Sequence, residues 1–195
     1  MGTPPKTAKP QTRIVLASPS TNAGAMERLF LIEAYTPAYV GTYDASQNLI
    51  AMRLMRQTIE NRLKSPGQYM ARGATTEIEI IELGNQFAGF GTYPTLDPGM
   101  TLRLRDILTI ANNPKHPMHA AFAQFVNDAI TAATESTTPS VAKYPNVTAW
   151  RTKNSGSPGP SFHMLITLSG NTFYSTIPVP PMLHRDAKHS SRQTH

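Results

Sequence analysis

Cysteine is absent from the 195 residues, which excludes a disulfide framework, a thiolate metal site and a cysteine nucleophile, and leaves the redox compartment open. Long apolar runs are absent as well. The N-terminal stretch MGTPPKTAKPQTRIVLASPS holds only the four-residue run Ile14 to Ala17, too short for a signal-peptide core, and nowhere do 18 apolar residues follow one another. No ordinary export signal and no stable membrane insertion are therefore expected. The Met1-Gly2 start, followed by Pro5 and Lys6, is a poor myristoylation match. The G-x-S-x-G elbow of serine hydrolases does not occur, and glycines 84, 89, 91 and 99 neither follow a strand nor end in Gly-Lys-Ser/Thr. Serine-hydrolase and phosphate-cradle readings fall away. His116 and His119 stand three apart on one helix face, but no third ligand stands at matching spacing, so the pair does not make a metal site.

What is present is an excess of basic residues, confined to the ends. The net charge is +6, yet residues 1–25 hold Lys6, Lys9 and Arg13 with no acid, and residues 182–195 hold Arg185, Lys188 and Arg192 against Asp186. Residues 26–181 keep twelve basic and eleven acidic side chains, a net of +1. A nearly neutral body argues against nucleic acid as partner. The basic ends either draw the protein to an anionic polymer such as a bacterial wall, or to nucleic acid, by screened attraction, or are simply solvated.

The length suits one domain. Residues 1–22, rich in Pro, Thr, Ser and Lys, read as a disordered basic leader, 23–181 as the domain, and 182–195 as a disordered basic tail. A first helix is predicted over 23–34, capped by Asn22 and closed by Pro37, followed by a loop with Tyr35, Tyr39 and Tyr43. Ile50, Met52, Met55, Ile59 and Leu63 recur at helical spacing in NLIAMRLMRQTIENRLKSPGQY, which stops at Pro66-Gly67. Thr75/Thr76 with Glu79 form a capping pattern that favours a helix ending at Gly84. TLRLRDILTIANN and the segment after Pro117 complete the helices, and FHMLITL and NTFYS read as two strands joined by Ser169-Gly170-Asn171. The fold class is α+β, mostly α, with a small C-terminal β-hairpin.

One carboxylate breaks an apolar stripe. In MERLFLIEAYTPAY, Glu33 falls on the face of Met26, Leu29 and Phe30. It is either solvated at a helix end or held in a partly dry cleft with a raised pKa, ready to act as an acid. Aromatic residues gather in candidate loops and the hairpin: the three tyrosines above, Phe87, Phe90 and Tyr93, then Trp150, then Phe173 and Tyr174. Such rings stack on sugar faces or RNA bases, or serve as core.

LIEAY, TIENRLKSPGQY, ELGNQFAGFG and LSGNTFYS, in that order, resemble the SleB-type cell-wall hydrolases over residues 26–177. The resemblance implies a lysozyme-like helical domain that cleaves peptidoglycan glycan strands at the MurNAc-GlcNAc β-1,4 bond. It implies that Glu33 in the Glu33-Ala34 pair is the catalytic acid, and it matches Asn61 to Pro66, Gln86-Phe87 and Gly170 to Tyr174 to family motifs. The family often places further acids soon after the Glu-Ala pair, whereas here the next acid is Asp44. Asp44 is the first choice for a second carboxylate, with Glu60, Glu82 and Asp97 behind it. A muramidase needs such a partner. A lytic transglycosylase, ranked ahead of it, uses Glu33 alone, first as acid and then as base, to give a 1,6-anhydro product, and the resemblance implies no metal and no cofactor. Tyr43, Gln86, Tyr93, Asn171 and Tyr174 are the expected sugar contacts, while Phe87, Asn61 and Arg62 are read as packing and tethering. The implied setting is the periplasm or cell wall, reached by a specialised secretion system, a phage holin or release from a parent polypeptide. An antibacterial toxin within this class implies a dedicated inhibitor protein. The competing class is a noncatalytic glycan- or RNA-binding module in which Glu33 is an ordinary helix-end residue.

Overall fold

The run NAGAMERLFLIE carries apolar residues all round its helix rather than on one stripe, and a helix of that kind has to lie inside. In the computed structural model, which describes residues 12–177 apart from 66, 68, 69, 85, 136 and 137, this run is α1 (Asn22–Glu33), with eight of its twelve residues buried. Leu29, Phe30 and Leu31 are fully buried, each stabilising the fold by about 2 kcal/mol relative to exposure. The cap is Thr21, one residue before the expected Asn22, its side chain accepting the Gly24 amide.

The remaining helices are α2 (Ala45–Leu63), α3 (Glu77–Glu82), α4 (Pro98–Ala111), α5 (His119–Thr134) and the single turn α6 (Pro139–Ala142). Asp44 caps α2 through the Ser46 amide, Thr76 caps α3 through the Glu79 amide, and Asp97 caps α4 through the Met100 amide. The expected capping pattern is present with an added turn of detail, since the Glu79 carboxylate reaches back to the Thr75 amide. α2 ends at Leu63; Pro66, expected as its stop, lies outside the described residues. α5 packs against α1, α2 and α4 through Phe122, Phe125, Val126 and Ala129.

The C-terminal β-structure is larger than the expected hairpin. β1 (Ala149–Thr152), β2 (His163–Leu168) and β3 (Asn171–Ser175) form an antiparallel sheet in the order β1-β3-β2. Trp150 pairs with Phe173. The predicted hairpin turn is present: Ser169 and Gly170 both have positive φ, 42° and 79°, as a two-residue turn of the primed type requires. Gly170 is fixed by space as well, because a Cβ there would lie 2.4 Å from the Tyr35 ring. The turn is bolted to the start of α2, Ser169 Oγ accepting the Asp44 amide and the Ser169 amide donating to Gln47 Oε1. The protein is thus α+β and mostly helical, with a three-stranded sheet.

Residues 12–21 do not form a loose leader. The Asn112 side chain pairs with both backbone groups of Ile14, Glu27 Oε2 accepts the Ala17 amide at 2.7 Å, and Arg28 donates to the Ala17 carbonyl. The rest of the predicted leader, residues 1–11, and the predicted tail lie outside the described residues. Among the described residues no helix is long and apolar enough to cross a membrane.

Candidate functional site

Glu33 is the last residue of α1, and the chain leaves the helix at Ala34 in an extended conformation. A carboxylate at a helix C-terminus faces the negative end of the helix dipole, so the position favours the neutral acid from the start. Glu33 keeps part of its surface accessible. Protein atoms nevertheless crowd its carboxyl, and this desolvation raises its pKa above the ordinary carboxylate value. The Trp150 indole N–H donates to the carboxyl and the Arg103 guanidinium lies nearby, both moderating the rise. The acid is therefore pushed towards the neutral form without being stripped of the donors that would receive its anion.

Trp150 is delivered by β1, the strand that sequence reasoning did not assign. Its ring stacks on Phe87 with centroids 5.1 Å apart, and the Arg62 guanidinium lies 5.4 Å from the Phe87 centroid and 5.8 Å from that of Trp150. Arg62 is buried and its pKa is pulled down to about 10 by that burial. It donates to the Thr148 carbonyl and to Gln86 Oε1, and Gln86 donates in turn to the Met70 carbonyl. Asn61 holds the Pro145 and Val147 carbonyls. Asn61, Arg62, Gln86 and Phe87, from two of the three matched motifs away from Glu33, thus converge on one polar and aromatic buttress behind Trp150.

Arg103 reaches the site from α4. Its Nη2 donates to the Ala34 carbonyl at 2.9 Å, next to Glu33 in the chain. It also lines an open groove of about 450 Å³ between α4, α5 and the loop after Glu33, together with Thr36, Tyr39, Leu102, Asp106 and Phe122. Arg103 was not singled out from the sequence. The signal was available, since it lies four residues before Ile107 and eight before Ala111 on the face that α4 buries.

The expected sugar contacts are placed unevenly. Tyr43 is half-buried against Phe125, with rings 6.1 Å apart, and its hydroxyl pKa is raised to about 12 by desolvation and by the neighbouring Asp128 and Asp44 carboxylates. Gln86 is occupied by Arg62 and the 70-loop, as above. Tyr93 is buried, its hydroxyl donating to the Pro19 carbonyl, so it anchors the N-terminal strap rather than lining the surface beside Glu33. Asn171 is 1% exposed inside β3. Tyr174 is buried and its hydroxyl donates to the Gly156 carbonyl. For Tyr93, Asn171 and Tyr174 the sugar-contact role is corrected to an internal one, because neither their rings nor their polar groups are left open to a ligand.

Asp44 accepts both the amide and the hydroxyl of Ser46 through Oδ1, at 2.9 and 2.6 Å. These bonds, the Ser46 hydroxyl foremost, lower its pKa. Among the other candidates Glu60 pairs with Arg56, and Asp97 is the cap of α4. His116 Nδ1 accepts the Met118 amide within a turn, and no group of three or more metal-ligating side chains occurs among the described residues. Comparison with protein-family models, with curated proteins and with solved structures finds no match.

Proposed function

We propose that the protein cleaves peptidoglycan glycan strands at the MurNAc-GlcNAc β-1,4 bond as a lytic transglycosylase, with Glu33 as general acid and base. The observation that carries this reading is the environment of Glu33: a half-buried residue whose carboxyl pKa is raised above the ordinary carboxylate value by desolvation, with the Trp150 indole N–H and the Arg103 guanidinium placed to receive its anion. A group poised in this way has two jobs open to it. Protonated, it delivers its proton to the glycosidic oxygen as the bond to C1 breaks and positive charge develops on the ring. Ionised, it accepts the proton of the muramic 6-hydroxyl while that oxygen closes on C1. The products are a 1,6-anhydro end and a free 4-hydroxyl, Glu33 regains its proton, and no water is consumed. The arrangement of Asp44 supports this one-carboxylate route over hydrolysis, because its Oδ1 is already held by the Ser46 groups in the cap of α2.

Mass spectrometry of the soluble fragments released from sacculi by the wild type and by Glu33→Gln tests the proposal. Anhydro-muropeptides from the wild type alone are expected. Reducing-end muropeptides would make the enzyme a muramidase, and no release from any sacculus would remove the enzymatic reading in favour of a binding module.

A further inference from the structure

The groove that Arg103 lines, linked to the Glu33 end of α1 through the Ala34 carbonyl, carries opposite charges that do not pair with each other. Arg103 and Asp106 stand three residues apart on α4, hence on one face, and both line the groove. Asp106 forms an ion pair with the exposed Arg105 at 3.3 Å. Arg103 spends Nη2 on the Ala34 carbonyl, and its Nε is buried without a hydrogen-bond partner among the described residues. The surface around the two charges is apolar and partly open, with Tyr39 and Leu102 each 47% exposed above Phe122. A volume of about 450 Å³ lies in the range of small-ligand sites.

We infer that this groove is a subsite for a short peptide that bears free carboxylates, a primary ammonium and small apolar side chains, the peptide stem of the glycan substrate. The inference rests on the proposed function and extends it. A carboxylate of the stem meets the Arg103 guanidinium, the stem ammonium meets Asp106, and the small side chains lie against Tyr39 and Leu102. The muramic residue that carries the stem is the one whose C1 bond breaks. Arg103 touches the residue next to Glu33, so an anchored stem sets that sugar in register with the acid. The groove thereby becomes a positioning device, spending peptide binding on orientation of the glycosidic bond.

Titration calorimetry with the free tripeptide Ala-γ-Glu-diaminopimelate as probe tests this, on the wild type, Arg103→Gln, Asp106→Asn and Leu102→Asp. Leu102 is exposed, so its variant probes the groove even where loss of Arg103 perturbs folding. Each variant is expected to bind the tripeptide about tenfold more weakly, the loss of one charge-assisted contact or of the apolar wall. In parallel, the wild type is expected to cleave strands bearing stems about tenfold faster than strands stripped by an amidase, through the same contact. No tripeptide binding, or equal binding by all four proteins, would overturn the subsite. Tripeptide binding that the variants lose, with no cleavage of either glycan, would retain the subsite and overturn the role of Glu33.

Discussion

Two glutamates six residues apart on α1 make an internal comparison. Glu27 and Glu33 are both raised above the ordinary carboxylate range, and in both the leading cause is desolvation. Glu27, however, is 2% exposed and closes on the protein itself, accepting the Ala17 amide beside Arg28. Glu33 stands at the end of the helix with part of its surface open, backed by an indole N–H and a guanidinium that other elements deliver. A raised pKa by itself therefore does not single out an acid for catalysis; the proposed role of Glu33 rests in addition on its partly open position and on the donors that face it. One end of α1 uses its acid to fasten an N-terminal strap, and the other holds its acid half-buried at the helix end, against groups from β1 and α4.

The largest expected effect breaks the comparison at its functional end. Glu33→Gln should lower cleavage of sacculi by about 100-fold or more, in the range of general acid–base contributions, while leaving the protein folded. Turnover per folded molecule, measured by fragment release, checks it. An equal loss from Glu27→Gln would show that the two positions are not functionally distinct.

At the structural end, Glu27→Ala should cost about 1 kcal/mol, since it leaves the part-buried Ala17 amide without its acceptor and removes a partner of the strap. Urea denaturation at neutral pH reads this directly. Cleavage by the fraction that remains folded should be unchanged, which is the mirror image of Glu33→Gln.

A smaller effect sharpens the claim about donors. Because Glu33 has a higher pKa folded than unfolded, the folded state binds more protons, so its contribution favours folding most below the unfolded value and is lost as pH rises through the folded one. Replacing it with Gln removes this loss. Glu33→Gln should therefore match or exceed the wild-type melting temperature at pH 8, with the difference shrinking towards pH 4. Trp150→Phe keeps a ring against Phe87 and deletes the indole donor, whose bond to Glu33 lowers the pKa. The alkaline limb of the cleavage profile, which follows protonated Glu33, should move to higher pH in that variant. A limb that stays in place would remove the indole from the account of the acid.

The comparison also separates what was legible in the sequence from what was not. Helical period and local chemistry act over a few residues, so α2, the cap of α3 and the Ser169-Gly170 turn could be read from the chain. Glu33 could be proposed as an acid because its apolar neighbours are its own helix. The parts of the site that escaped are those made at long range. β1 is four residues long and exists through its pairing with β3; nothing in Ala-Trp-Arg-Thr alone separates it from a loop. Residues 12–18 look like polar leader because their partners, Asn112 and Glu27, lie on helices elsewhere in the chain. Tyr93, Asn171 and Tyr174 have the right chemistry for sugars, but residue type does not disclose that each is closed off by the fold.

The smallest expected effect decides between the two ways of breaking the glycan. Asp44 is the cap of α2, and asparagine caps a helix about as well as aspartate, so Asp44→Asn should leave the melting temperature nearly unchanged. It removes the negative charge while the Ser46 amide keeps an acceptor. On the one-carboxylate route that charge takes no part in closing the 6-hydroxyl onto C1, and the variant should yield anhydro products at close to the wild-type rate. On a hydrolytic route it is half of the machinery, and its loss should approach that of Glu33→Gln. A folded Asp44→Asn protein that no longer cleaves would place a second acid opposite Glu33 and replace the transglycosylase with a muramidase.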